Sequence, residues 1–326
     1  MVMDLQRKIY KTEVDGSPFE LEVSNLAGQA NGAVVGRWGD TAVLVTAVMG
    51  GEASLPYFPL TVDYEERFYA AGRILGSRFV RREGRPSDEA TLSARLLDRT
   101  IRPLFDQRLR REIQVVVTVL AYDEKHDPDL VSLVAASTAL SISDIPWGGP
   151  VGGARFLKES ETYTNDANDA RTTRTRLEYL AFFAGTSEKV NMIEFEGDEI
   201  PESTAVELFE KGERQIRELI DFQKKIIKEV GKKKADIVLP VEDARLRGEV
   251  KKFLEKKLKG TFKKNEFYAL KNELLDYLEK AGEERAALQA AGDLFEEEVN
   301  EYVHLEALEH ERRVDGRKLD EIRPLY

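Results

Sequence analysis

The first half of the chain alternates apolar and polar residues in short runs that predict β-strands. Residues 19–23, 33–38 and 41–48 are three such runs, and Gly39-Asp40 between the last two is a hairpin turn signal. We expect these strands to form an antiparallel meander. Further strands are predicted at residues 60–64, 113–122, 151–156, 177–184 and 190–195. Residues 113–122 are so continuously apolar that both faces of that strand should be covered.

Two predicted helices lie between these strands. The first runs from residue 88 to about residue 104, because Ser87 and Asp88 can cap its beginning. The second covers residues 129–143, which are small, apolar and helical in pattern. Antiparallel strands with interspersed helices are typical of an α+β layer sandwich.

Near Pro201 the pattern changes, since glycine thins out and apolar residues fall at spacings of three and four. Helices are predicted at residues 202–230, 241–258, 265–278 and 293–311. We place the boundary between an α+β domain and an all-helical domain at residues 230–240. Residues 312–326 are turn-rich, and from them we expect the natural chain to continue further.

Composition supports a folded protein. The 326 residues are 42% hydrophobic, which is enough to bury a core, and the formal net charge is −11. The absence of cysteine excludes a disulfide framework, a thiolate zinc site and a cysteine nucleophile, and it fits a reducing compartment. No apolar run is long enough for a membrane span or a signal peptide. We therefore expect a cytoplasmic protein that does not enter membranes.

One segment departs from the acidic average. Between Arg67 and Arg111 the chain has twelve arginines, no lysine and five acidic residues, an excess of seven positive charges. The guanidinium group is permanently charged, and its planar fork of donors matches phosphate oxygens. An arginine-only segment of this kind indicates contact with a phosphate backbone.

Two stretches of this region carry a family resemblance. Residues 58–77 are FPLTVDYEERFYAAGRILGS, and residues 78–105 are RFVRREGRPSDEATLSARLLDRTIRPLF. With them the chain resembles polynucleotide phosphorylase. Residues 1–235 resemble the first RNase PH-like core of that family, residues 240–311 its all-helical linker, and residues 312–326 the opening of its second RNase PH-like core.

The resemblance implies a fold and an activity. The fold would be similar to ribosomal protein S5 domain 2, with two cores per subunit and a homotrimeric ring through which single-stranded RNA passes. The activity would be that of a phosphate-dependent 3′→5′ exoribonuclease, a polyribonucleotide nucleotidyltransferase. Inorganic phosphate would attack the terminal linkage and release nucleoside diphosphates, and the reverse reaction would extend RNA.

The resemblance also implies the residues that bind RNA, because the family loop at residues 78–82 projects into the channel. The expected RNA-binding residues are Arg78, Phe79, Arg81, Arg82, Arg85 and Arg102. Phe79 offers a ring for base stacking, whereas Val80 stands where the family has a second phenylalanine.

Each assignment has a structural alternative. Phe79 could be an ordinary packed aromatic residue. Arg95 and Arg99 are expected to form ion pairs with Asp98 or Asp106, and for Arg102 that alternative is evenly balanced with RNA binding.

No catalytic set is visible in the chain. A phosphorolytic site needs carboxylates for a divalent cation, a lysine for the developing charge, and donors around the attacking phosphate. The active core of the family has Asp-x5-Asp-x-Lys before an Ala-Gly turn, and counting back from Ala184-Gly185 these positions hold Arg174, Leu180 and Phe182. Residues 127–130 (DPDL) replace its serine stretch. We therefore expect no catalytic residue and no metal ligand here, and we assign Mg²⁺ and inorganic phosphate to the second core.

Four other clusters predict only ordinary structure. His126 lies among four acidic residues in what should be a solvated turn, and His304 and His310 are spaced too far apart on a helix to share a metal. Residues 148–153 (GGPVGG) should be a connector, and residues 232–234 (KKK) a solvated surface.

Two alternative functions remain open. The chain could act alone as a non-catalytic RNA-binding or assembly module. The lost carboxylate and lysine positions disfavour nucleotide chemistry in the first core itself.

Overall fold

A computed structural model of the protein describes residues 5–53, 55, 57–73, 84–164, 172–237, 239, 243–258 and 264–324. Internal contacts divide the chain after Leu239 into two compact units, Met1–Leu239 and Pro240–Tyr326. The described residues of the first unit form two β-sheets and three α-helices, and those of the second unit are mainly helical.

The larger sheet has six strands in the order β1-β2-β3-β4-β6-β5. They are β1 Lys8–Val14, β2 Ser17–Val23, β3 Gly32–Trp38, β4 Thr41–Glu52, β5 Leu60–Glu65 and β6 Arg111–Ala121. The pairs along β1-β2-β3-β4-β6 are antiparallel, so the predicted meander is confirmed. Strand β5 pairs in parallel with β6, which places the end of β5 beside the end of β6.

Two helices of the first unit follow β5 and β6. Helix α1, Asp88–Ile101, begins at the predicted cap, where Ser87 Oγ accepts a hydrogen bond from the Ala90 amide at 2.9 Å. Helix α2, Pro128–Ile142, is buried along almost its whole length. A Cβ at Gly32 would lie 2.2 Å from the carbonyl oxygen of Ala139, so glycine permits the close approach of α2 to β3.

The smaller sheet consists of three antiparallel strands, β7 Gly152–Thr164, β8 Thr172–Gly185 and β9 Val190–Gly197. Helix α3, Glu202–Val230, packs Leu208, Ile216 and Ile220 against Ala181 and Phe183 of β8. Gly152, near the end of the GGPVGG stretch, is the first residue of β7. A Cβ there would lie 2.5 Å from the carbonyl oxygen of Ile216, so glycine permits the close approach of α3 to β7.

Two sequence predictions in this unit need correction. Strand β1 was not predicted, since its exposed lysines and single buried residue give it little apolar alternation. Strand β6 is not covered on both faces, because Ile113, Val115 and Val117 are buried whereas Gln114 between them is exposed. The apolar run reflects high strand propensity on the second face and not full burial.

The second unit has three helices, α4 Ala244–Lys257, α5 Lys264–Lys280 and α6 Arg285–His310. Their core is formed by aliphatic side chains and one aromatic ring: Leu246, Val250, Leu254, Leu274, Leu278, Ala291, Leu294 and Phe295. Helix α6 begins eight residues before the predicted start because residues 285–292 continue its helical pattern without a cap. None of the helices in the described part of the chain combines the length and apolar character needed to cross a bilayer.

Candidate nucleic-acid interface

Four of the predicted RNA-binding residues, Arg78, Phe79, Arg81 and Arg82, lie outside the described residues. Their role therefore stays a prediction. The described residues that flank this stretch are Arg73, which follows the turn after β5, and Gly84, which precedes the Ser87 cap of α1. Arg85, the first described arginine after the loop, is exposed.

Arg102 has a different environment from the other predicted residues. Its Nε donates to Asp98 Oδ1 at 2.6 Å, a second guanidinium nitrogen binds Asp98 Oδ2, and it also donates to the carbonyls of Phe58 and Leu60 at 3.4 and 3.1 Å. The guanidinium carbon also lies 6.0 Å from the ring centroid of Phe58. These contacts favour the structural alternative for Arg102, in which the side chain ties the end of α1 to the start of β5.

Arg95 and Arg99 are not paired as the sequence suggested. Asp98 is occupied by Arg102, and Asp106 binds Arg108 at 2.7 Å. Both Arg95 and Arg99 are exposed on α1 and form no ion pair with any described residue. Because they are four residues apart, their guanidinium groups project from neighbouring turns of one helix face.

A cleft of about 350 Å³ lies where the family pattern would place catalytic residues. Its lining combines three carboxylates, one arginine and four apolar side chains: Leu96, Asp129, Arg155, Leu180, Phe182, Glu194, Phe195 and Glu196. Leu180 and Phe182 are two apart on β8, so both face the cleft. The predicted replacement of a carboxylate and a lysine thus falls on the cleft wall itself.

The charges of the cleft oppose phosphate binding. Arg155 is committed to an ion pair with Asp127, and Ser93 Oγ donates to Asp129 Oδ2 at 3.0 Å. Burial raises the pKa of Asp129, and the charges of Glu194 and Glu66 raise it further. A site with this surplus of carboxylates would repel an attacking phosphate.

The same lining does not fit a magnesium site. Among the residues that the structure describes, no group of three or more acidic or histidine side chains has an arrangement that could hold a metal ion. Leu180 and Phe182 offer no oxygen or nitrogen ligand to a hard cation.

The predicted solvated turn around His126 is instead an ordered junction. Asp123 accepts hydrogen bonds from the Asp40 amide and Thr41 Oγ1, each at 3.0 Å, and its Oδ2 lies 2.6 Å from His126 Nδ1. Burial would raise the pKa of Asp123, but hydrogen bonds from His126 and from backbone amides lower it well below its usual range. The turn after β6 is thereby tied to the β3–β4 hairpin. Pairing across 83 positions of the chain was not visible in the sequence.

The lysine run at 232–234 is also structural in part. Lys234 Nζ donates to the carbonyls of Leu140, Ser141 and Ser143 at 2.8, 3.0 and 2.8 Å, at the end of α2. Lys232 Nζ donates to the Asn31 carbonyl at 2.7 Å. These two lysines bind the segment after α3 to the core, and Lys233 remains exposed.

Comparison with known proteins relates the chain to one domain family and to one group of enzymes. Residues 16–146 match the RNase PH family, described as 3′ exoribonuclease family, domain 1. The chain is 40% identical over 332 aligned positions to the polyribonucleotide nucleotidyltransferase of Halalkalibacterium halodurans, which covers 99% of this chain and 46% of that protein. It is 38% identical to the Bacillus cereus enzyme of the same name, with the same coverage.

The chain carries an RNase PH domain and is a relative of polyribonucleotide nucleotidyltransferase.

The chain spans about half the length of the polyribonucleotide nucleotidyltransferases that it matches. A solved structure of rice Rrp46 aligns over 69% of this chain and 96% of its own, with 14% identity and a TM-score of 0.47. The recognition made from residues 58–105 is confirmed, as is the RNase PH type of α+β core followed by a helical region.

Proposed function

We propose that this chain is a non-catalytic part of a phosphorolytic 3′→5′ exoribonuclease that degrades single-stranded RNA to nucleoside diphosphates. In this proposal its first unit holds the RNA backbone, and a second RNase PH-like core, which residues 312–326 begin, carries the chemistry. The observation that carries the proposal is the cleft, where Leu180 and Phe182 occupy the positions of a catalytic carboxylate and lysine.

The finer properties of the assembly belong to the same proposal. Inorganic phosphate and Mg²⁺ would bind in the second core, the subunits would form a homotrimeric ring, and the protein would work in the cytoplasm. The division into residues 1–235, 240–311 and 312–326 is likewise proposed as first core, helical linker and start of the second core.

The RNA contacts of the first unit would come from two neighbouring sets of arginines. The loop supplies Arg78, Arg81 and Arg82 with the ring of Phe79, and Arg85 follows it. Arg95 and Arg99 on α1 join them, because both are exposed and form no ion pair within the described residues. Guanidinium groups on a rigid helix can contact successive phosphates without reading the bases.

Salt dependence of RNA binding tests this interface. The Arg95→Ala/Arg99→Ala variant should bind a fluorescent poly(A) 20-mer more weakly, and the slope of log K against log salt should fall in magnitude by about 1.4, since each lost phosphate contact contributes about 0.7. Fluorescence anisotropy at several salt concentrations measures both quantities. Arg81→Ala/Arg82→Ala should give a comparable decrease.

The control is Arg217→Ala on α3, which removes an exposed arginine already paired with Glu213 at 3.1 Å. It should leave the slope unchanged. A wild-type slope in both double variants would remove the arginines from the interface and leave the proposal without its RNA contacts.

An independent binding or assembly module is the second candidate function. Such a module would have the same cleft without catalytic residues and the same exposed arginines, but it would need no second core. RNA affinity alone does not separate the two candidates, whereas complementation does: adding a second core to this chain should give phosphorolysis only if the two belong to one enzyme.

A further inference from the structure

Exposed aromatic rings are concentrated where β5 and β6 end. A 3₁₀ turn, Phe68–Ala71, follows β5, and its Phe68 and Tyr69 are 45% and 61% exposed. Tyr122, directly after β6, is 41% exposed. We call these three rings the aromatic platform. Large aromatic side chains that are exposed on neighbouring segments indicate a binding function.

The backbone beneath the platform is fixed. The amide of Tyr122 donates to the Ala70 carbonyl at 2.9 Å, so the two segments lie side by side. The amides of Gly72 and Arg73 donate to Tyr69 and Phe68 carbonyls, each at 3.0 Å, and Gly72 closes the turn in the left-handed conformation with φ of +66°. Ala70 packs against the hydrophobic core. Rings held on such a turn lose little entropy when a ligand stacks on them.

The surroundings of the platform select the kind of ligand. Arg67 and Arg73 flank the turn in sequence; Arg67 forms an ion pair with Glu65, and Arg73 is exposed. The chain continues from Arg73 directly into the arginine-rich segment that ends at Arg85. Cationic groups alternating with exposed rings are the combination that binds single-stranded nucleic acid, with phosphates on the cations and bases on the rings.

We propose that the aromatic platform stacks bases of single-stranded RNA, with Tyr69 and Tyr122 as the stacking residues. The proposal rests on the proposed function, which it extends from backbone contacts to base contacts. Stacking on a ring accepts any base, so the platform would add affinity without sequence preference.

The test uses two strands with the same phosphates. Wild-type protein should bind an oligo(A) 20-mer more tightly than an abasic strand of equal length, and Tyr69→Ala/Tyr122→Ala should lower the oligo(A) affinity by about 30-fold or more, the low end for two stacked bases. Abasic affinity and the salt slope should stay at wild-type values, because no phosphate contact is removed.

Two further variants make the result specific. Tyr69→Phe/Tyr122→Phe keeps both rings and should bind oligo(A) like the wild type. Tyr57→Ala removes a tyrosine that is also 61% exposed but lies before β5 begins, and it should have no effect. A melting temperature within 2–3 °C of wild type, about the shift of ~1 kcal/mol in a chain of this size, shows that a variant is folded.

The outcomes separate this proposal from the proposed function. Wild-type oligo(A) affinity in Tyr69→Ala/Tyr122→Ala, together with weakened binding in Arg95→Ala/Arg99→Ala, would overturn the platform and leave the arginine interface standing. If the alanine variant unfolds, 2-aminopurine in the bound strand decides with wild-type protein: fluorescence quenched in wild type and restored with the folded Tyr69→Ala single variant supports stacking, and equal fluorescence rejects it. No measurable RNA binding by the wild type would contradict both proposals.

Discussion

At the scale of single residues, the partners of each arginine decide its role. Arg102 and Arg95 are two turns apart around α1, yet Arg102 is held by Asp98 and two backbone carbonyls while Arg95 projects into solvent. We therefore expect removal of the guanidinium group of Arg102 to affect folding, and removal of that of Arg95 to affect the proposed RNA binding. In this account the arginine-rich segment contains both fold-stabilising and ligand-binding residues in close succession.

Asp123 gives a prediction about acid stability at the same scale. Asp123→Asn should lower the free energy of unfolding by about 1–3 kcal/mol at pH 7, because a carboxylate that accepts several hydrogen bonds becomes a neutral amide. The pKa of Asp123 is lowered in the folded state, so its contribution is present above the unfolded value of about 4 and is lost as the pH falls below it.

Urea unfolding at pH 7, 4 and 3 measures this effect. The difference between wild type and Asp123→Asn should be largest at pH 7 and should shrink at pH 3. Glu124→Gln, a neighbouring exposed carboxylate in the same turn, should unfold like the wild type at each pH. A constant difference from pH 7 to pH 3 would show that the charge of Asp123 does not contribute.

At the scale of elements, close contact between α2 and β3 holds the core of the first unit together. Gly32→Ala should destabilise the protein by about 1–3 kcal/mol, because the new Cβ would meet the Ala139 carbonyl, which is backbone and cannot rotate away. Gly51→Ala on β4 is the matched control, since a Cβ there has no neighbour within 4 Å among the described residues. Equal thermal melting of the two variants would contradict this packing account.

The elements themselves were largely predictable from the sequence, and their tertiary contacts were not. Helix α3 has its predicted bounds, Glu202–Val230, because its apolar stripe is long and regular. The cap at Ser87 was also predictable, because an N-cap side chain accepts its hydrogen bond from a backbone amide only three residues away. Asp40 and Thr41, which donate to Asp123, and the carbonyls that bind Lys234 lie more than 80 positions away from them, where local patterns carry no information.

The candidate site, like the fold, could be predicted from the sequence only in part. Comparison with the family motif identified Leu180 and Phe182 as replacements, and the fold places both on one cleft wall. Arg95 and Arg99 have no ion pair among the described residues because Asp98 pairs with Arg102. The aromatic platform forms where the amide of Tyr122 donates a hydrogen bond to the carbonyl of Ala70. The first outcome depends on which of several nearby arginines pairs with Asp98, and the second depends on contact between segments far apart in sequence.

At the scale of the whole molecule, the first unit combines a surface suited to RNA with a cleft unsuited to phosphorolysis. Homology to polyribonucleotide nucleotidyltransferase covers 99% of the chain. The proposed enzyme therefore separates its work between cores: one binds and guides the strand, and another cleaves it. Such a division allows the cleft of the first core to hold Leu180 and Phe182 at the positions of a catalytic carboxylate and lysine without loss of activity in the assembly.

Phosphorolysis by the chain alone tests this division most directly. The release of ADP from poly(A) with inorganic phosphate and Mg²⁺ should be measured for this 326-residue chain and, in parallel, for the full-length Halalkalibacterium halodurans relative. RNA binding by the same preparation confirms that the chain is folded. The account predicts ADP release from the full-length relative and none above background from this chain. Phosphate-dependent ADP release by the chain alone would contradict it and would make the cleft lined by Leu180 and Phe182 an active site.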